Sequence, residues 1–116
     1  MSKRFVRKNT NAISAVTALE KAQELVFAPM TFQAVSSLLD FGILQQINKK
    51  PSSLEQIIID LNLDEYICAT LLQIAEVTDI VEIKENIYFL TKKGQAFLYD
   101  DMTIANFNFV KDVCYL

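Results

Sequence analysis

The sequence predicts a mainly α fold, a winged helix-turn-helix with a small two-stranded β-wing and extra helices at both ends. Three observations carry that reading. Ser52 to Leu90 reads as helix, turn, helix and then two short β-rich runs. A further apolar helix beginning near Thr31 precedes that order. At 116 residues, the chain has the length of one domain and can bury a core.

Within the central stretch, Ser52 and Glu55 have capping-box spacing. Leu54, Ile57, Ile58 and Leu61 then fall on one helical face. Asn62-Leu63-Asp64 breaks the pattern, and Asp64 is the candidate cap of the next helix, with Leu63 and Cys68 as its hydrophobic staple. That helix places Ile67, Leu71, Ile74 and Ala75 at three- and four-residue spacing. Ile80–Lys84 and Ile87–Leu90 follow as strands around a tight Glu85-Asn86 turn.

Such an arrangement ordinarily puts its second helix into the DNA major groove. The charges oppose that use. Pro51 to Ile83 contains no Lys or Arg, and it holds Glu55, Asp60, Asp64, Glu65, Glu76, Asp79 and Glu82. Phosphates supply most of the affinity for DNA and would be repelled there. The formal charge of -3 gives no global attraction to nucleic acid either.

Ahead of this stretch, residues 1–10 form a basic arm with Lys3, Arg4, Arg7 and Lys8. Asn11 to Phe27 reads as a helix whose stripe is Ala12, Ala15, Val16, Leu19, Ala22 and Val26. Its alanines permit the close approach of another helix. Ala28-Pro29-Met30-Thr31 reads as a break, because proline cannot continue the helix and Thr31 can cap a new one. Phe32 to Phe41 is apolar on nearly every side, and a helix of that kind is buried all round. Gly42 suits a left-handed C-terminal position, and Ile43 to Ile47 is a short extra turn.

After the wing, Thr91 caps a helix through Tyr99 with Ala96, Phe97 and Leu98 inward, and Lys92 and Lys93 are solvated at its start. Asp100-Asp101 breaks the chain again. Met102 to Leu116 carries Ile104, Phe107, Val110, Val113 and Cys114 at helical spacing. Its apolar pattern still runs at Leu116, which reads as a cut ahead of a further segment.

Nothing in the sequence assembles a reaction. There is no histidine, hence no Ser-His-Asp or Cys-His pair, and Cys68 and Cys114 alone make no zinc site. The two cysteines are too few for a disulfide framework, and a reducing cytoplasm is expected. Gly42 and Gly94, the only glycines, form no phosphate loop. No catalytic, cofactor-binding or metal residue is therefore assigned. The hydrophobic share of 52% is high for a small monomer, and no run reaches membrane-span length. The apolar excess predicts an interface instead, a homodimer without nucleic-acid or membrane partners.

Leu25-Val26-Phe27-Ala28-Pro29-Met30-Thr31-Phe32-Gln33-Ala34, leading into Leu38-Leu39-Asp40-Phe41-Gly42-Ile43-Leu44, carries a family resemblance. Ser53-Leu54-Glu55-Gln56-Ile57, Leu71-Leu72-Gln73-Ile74 and Ile87-Tyr88-Phe89-Leu90-Thr91 follow in matching order. Together they resemble the N-terminal dimerisation domain of S-adenosylmethionine-dependent O-methyltransferases of the plant and bacterial small-molecule type. The resemblance implies a winged helix that joins two subunits and helps roof a substrate pocket. It also implies a catalytic domain, bearing the S-adenosylmethionine site, beyond Leu116, so that this chain alone binds no cofactor and is not catalytic. The expected organisation is arm 1–10, dimerisation domain 11–101 and connecting helix 102–116. The interface set is Ala12, Ala15, Val16, Leu19, Ala22, Val26, Phe27, Met30, Phe32 and Val35. Phe107, Asp112 and Tyr115 are placed at the pocket by position alone. The alternatives are a winged-helix transcriptional regulator binding DNA through arm and wing, and a free-standing interaction module.

Overall fold

The computed structural model describes residues 13–115. It is mainly α, with six helices and one three-stranded antiparallel sheet among those residues. The chain divides into two units, Met1–Phe32 and Gln33–Leu116, a division that falls inside the span 11–101 read as one domain.

Helix α1 spans Ala15–Asp40 and contributes to both units. Ser14 caps it: its hydroxyl oxygen accepts from the Thr17 amide at 3.1 Å and donates to Thr17 Oγ1 at 3.0 Å. The expected break at residues 28–31 is absent, and Pro29 lies inside the helix. Proline costs about 3 kcal/mol in a helix interior because it lacks the donor and crowds the carbonyl one turn back. Here that carbonyl belongs to Leu25, an exposed residue, so water can satisfy it. Thr31 therefore starts nothing. The expected helix start at Asn11, and Ala12 of the interface set, lie outside the described residues, as does the arm 1–10.

In the second unit, the last turns of α1 bury Ala34, Val35, Ser36 and Leu38. The burial agrees with the apolar reading, and Ala34, Val35 and Leu38 belong to the unit's own core, so no outside surface is needed to cover them. Phe41 departs from the pattern and is exposed in the turn after the helix. Gly42 adopts the left-handed conformation at φ 80° and leads into α2, Ile43–Lys49. Gln45 donates to the Leu39 carbonyl at 3.2 Å and so serves the end of α1.

Strand β1 is only Ser52–Ser53. Helix α3, Leu54–Leu61, follows without a loop, capped by Ser53 in a full capping box with Gln56. The expected box was one residue earlier, at Ser52 and Glu55. Both spacings exist in the sequence, and strand pairing decides between them. Ser52 is drawn into the sheet opposite Tyr88, buried, with its hydroxyl donating to the Lys50 carbonyl at 2.7 Å.

Asn62, left-handed at φ 53°, ends α3. Asp64 then caps α4, Glu65–Val77, by accepting from the Ile67 amide at 3.0 Å. Leu63 and Cys68 both join the core as the staple requires. The inward face of α4 is Cys68, Leu71, Leu72 and Ala75. Ile67 is exposed rather than inward, because the staple turns Cys68 into the core and rotates its neighbour out.

Strands β2, Val81–Lys84, and β3, Ile87–Leu90, form the expected hairpin, with Glu85 and Asn86 both at positive φ. The sheet has one strand more than expected. Its order is β1-β3-β2, with Ser52 opposite Tyr88 on one side of β3 and Ile83 opposite Tyr88 on the other.

Thr91 caps α5, Lys92–Tyr99, through the Gly94 amide. Its hydroxyl also lies within hydrogen-bond reach of the Asp79 and Ile80 carbonyls. Lys93 is not merely solvated: it donates to the Thr78 carbonyl at 2.8 Å, closing the end of α4. Asp100 caps α6, Asp101–Cys114, one residue before the expected start of the connecting helix. The core of the unit is centred on Leu38, Ile43, Leu44, Ile47, Ile57, Leu72 and Ile80. Each such side chain contributes about 1.5–3 kcal/mol by leaving water.

Candidate self-association surface

Between Ala15 and Met30 nearly every residue of α1 is exposed, so its apolar residues meet water instead of a core. Val16, Leu19, Val26, Phe27 and Met30 are all exposed, Leu19 at 66%. At 100° per residue these five fall within about 100° of the helix circumference. Covering them recovers roughly 1–2 kcal/mol each at their present exposure. Two copies of such a stripe then supply an amount comparable with the roughly 4–15 kcal/mol that association costs. Ala15 and Ala22 flank the stripe and are exposed too. Leu25, 76% exposed, stands on the opposite side of the helix.

Two members of the expected interface set are placed differently. Phe32 is half-buried, and Val35 is 3% exposed within the core of the second unit. Val35 is therefore a core residue and presents no surface. It falls there because it lies in the closing turns of α1, where the helix enters the core; the apolar pattern reads the same on both sides of that point. Sequence reasoning missed Leu25 because it stands off the stripe. An isolated large apolar residue on the far side was the available signal.

Helix α6 and its C-cap Tyr115 carry the residues assigned to a pocket by position. Phe107 and Tyr115 are half-buried, and Asp112 is exposed. Phe107 faces α5, where its ring meets Phe97. Lys111 pairs with Asp40 at 3.7 Å, offsetting the carboxylate at the unfavourable C-terminal end of α1. Tyr99 accepts a hydrogen bond from the Asn48 side-chain amide, tying α5 to α2. No residue of α6 is fully buried. Met102, Phe109 and Val113 along its outer side are exposed.

The electrostatics assemble no reactive centre. Burial pushes the Cys68 thiol up, which leaves it protonated and inert. Burial also raises the Tyr88 phenol, and the negative charges of Glu76 and Glu55 add to that. Among the described residues no group of His, Cys, Asp and Glu is placed to hold a metal ion. No single helix among them is long and apolar enough to cross a membrane.

Comparison with known proteins places this geometry. The sequence model of the Dimerisation2-like domain matches residues 20–88, more than half of the chain. No curated protein sequence matches the chain. Several solved structures share the fold. The S-adenosylmethionine-dependent methyltransferase SibL in its apo form aligns with a TM-score of 0.69 and 17% identity, over 84% of this chain and 30% of that one. LepI in complex with SAM aligns with a TM-score of 0.71 and 13% identity, over 93% of this chain and 28% of that one. CalO1, a methyltransferase in calicheamicin biosynthesis, aligns in its SAH-bound form with a TM-score of 0.62 and 16% identity, over 87% and 31% respectively. The chain thus spans about three-tenths of the length of each.

Proposed function

The chain belongs to the Dimerisation2-like domain family, and from that premise we propose that it is the homodimerisation domain of an S-adenosylmethionine-dependent small-molecule O-methyltransferase. The observation that carries the proposal is the exposed stripe Val16, Leu19, Val26, Phe27 and Met30 on a helix whose first half has no covering core. A two-fold contact uses that stripe twice, and the same surface then serves both copies. The fold shared with methyltransferases supports a parent enzyme with a catalytic domain elsewhere.

In this reading the cofactor binds the catalytic domain, and this chain contributes no catalytic group. Phe107 and Asp112 on α6, and Tyr115 just past its end, are the residues proposed to approach the substrate pocket. The acidic, cation-free span from Pro51 to Ile83 supports a protein without nucleic-acid partners. A cytoplasmic site without membrane partners completes the proposal.

Sedimentation and light scattering over a dilution series test the central claim. The expected mass is twice that of the 13.2 kDa chain at micromolar concentration. A soluble monomer at high concentration overturns the dimer. Calorimetry with S-adenosylmethionine is expected to show no saturable heat, and one-to-one micromolar binding would overturn the non-catalytic role.

A further inference from the structure

The exposed stripe of α1 has a polar residue at its centre. Val16, Leu19, Val26, Phe27 and Met30 occupy one arc of the helix, and Gln23, itself exposed, falls within about 10° of the middle of that arc. Thr17, Glu20, Lys21 and Glu24 lie outside the arc. The stripe is also symmetric about Gln23. Val16 and Met30 stand equally far from it along the helix, on opposite sides of its line, and so do Leu19 and Phe27. The cap Ser14 and the half-buried Phe32, where the exposure of the helix ends, are equally far from it as well.

Symmetry of this kind selects the partner. An antiparallel second copy, related by a two-fold axis at Gln23, sets Val16 beside the second copy's Met30 and Leu19 beside its Phe27. At their exposure the five apolar side chains present on the order of 600 Å² per copy, about 1,200 Å² for two, the lower bound of a specific interface. Parallel pairing would instead carry both helices together into Ala34, Val35 and Leu38, which each copy buries in its own core. Gln23 restricts the choice further. Its amide, once enclosed by apolar neighbours, costs free energy unless it is hydrogen-bonded. A wholly apolar partner offers it nothing. A second amide at the same point does, because each carries both donors and an acceptor.

We propose that α1 pairs antiparallel with α1 of a second copy about a two-fold axis at Gln23, whose side-chain amide donates to its counterpart and accepts from it. The inference rests on the self-association reading and adds to it a polarity, a register and the residue that fixes both. A single polar residue in an apolar seam contributes specificity more than strength, since any slip along the helix leaves its amide against an apolar side chain.

The test uses the full chain with Cys114→Ser, which removes the exposed thiol and leaves Cys68 buried. Val16→Cys and Met30→Cys copies are mixed, treated with a short bismaleimide and read on a denaturing gel. Covalent pairs are expected from the mixture. Either variant alone should give about tenfold fewer, because antiparallel pairing separates each thiol from its own copy by about 21 Å along the helix. In sedimentation at neutral pH, Gln23→Glu is expected to weaken the dimer about tenfold or more, since two carboxylates then face each other. Leu25→Glu, on the opposite side of the helix, should leave it unchanged. Links from each variant alone without mixed links, a Gln23→Glu dimer as tight as wild type, or equal weakening by both glutamates overturns the proposal. Light scattering on the wild type separates the two readings. A monomer removes both, whereas a dimer without the mixed links removes only this arrangement.

Discussion

Phe107 meets Phe97 edge-on, with ring centroids 6.0 Å apart and planes at 79°. This edge-to-face contact is the aromatic joint between α6 and α5. Because α6 buries no residue fully, the joint carries a large share of its attachment. Phe97→Ala is expected to cost about 2 kcal/mol, less than a fully buried Phe because the ring is half-buried. Urea denaturation should report the loss. Hydrogen exchange should show faster opening in Asp101–Cys114 and little change in α4. Equal change in both helices would mean that α6 opens only with the whole unit.

Gly94 is buried where α5 packs against β3. A Cβ there would collide with the Ile80 carbonyl oxygen and would sit 2.6 Å from Leu90 Cδ1. The carbonyl belongs to the backbone and cannot rotate aside. Gly94→Ala is therefore expected to destabilise by about 2 kcal/mol or more, despite alanine's better helix propensity of about 1 kcal/mol. A raised midpoint in urea would show that α5 can lift without cost.

Leu19→Asp is expected to give a monomer or an insoluble chain. It puts a carboxylate into the stripe of both copies, at several kcal/mol if the site is buried in the dimer. Leu25→Asp, on the opposite side of the same helix, is the contrast. If the stripe alone makes the interface, only the first variant loses the doubled mass in light scattering. Loss in both would mean that the helix is covered on two sides.

Asp100 accepts from the Thr103 hydroxyl at 2.6 Å and the Thr103 amide at 2.8 Å, and these bonds, the hydroxyl first, hold its carboxyl below the usual aspartate value. A depressed folded value stabilises the fold above the unfolded value and loses that contribution as pH falls through the folded one. The melting temperature gap between wild type and Asp100→Ala should be full at neutral pH. It should shrink as pH falls through 3.8 and below. A gap that stays constant down to acid would assign the cap to geometry without charge.

The sequence made the helix order, the Asp64 and Thr91 caps and the Glu85-Asn86 turn legible, because each is a local rule about neighbouring residues. It misplaced the α3 cap because Ser52 and Ser53 both have a partner three residues on. The choice between them is made by Tyr88, a residue far along the chain. It placed a break at Pro29 because a local cost is visible in sequence, while the exposed setting of Leu25, which leaves its carbonyl within reach of water, is not. The stripe of the candidate surface was legible from periodicity through Met30. Its end was not, since Val35 continues the pattern into a core that only the folded chain reveals.

Strand β1, though two residues long, bears on what the sheet offers to other chains. By occupying the far side of β3 it turns the inner strand of a hairpin into a central strand. The longest ladder flank left open is β2, where Glu82 and Lys84 set charges along the strand. A short, charged rim is a poor template for a stranger's backbone. Polymerisation by strand addition is thus discouraged at the sheet, and the self-association proposed above would fall to side chains on helices.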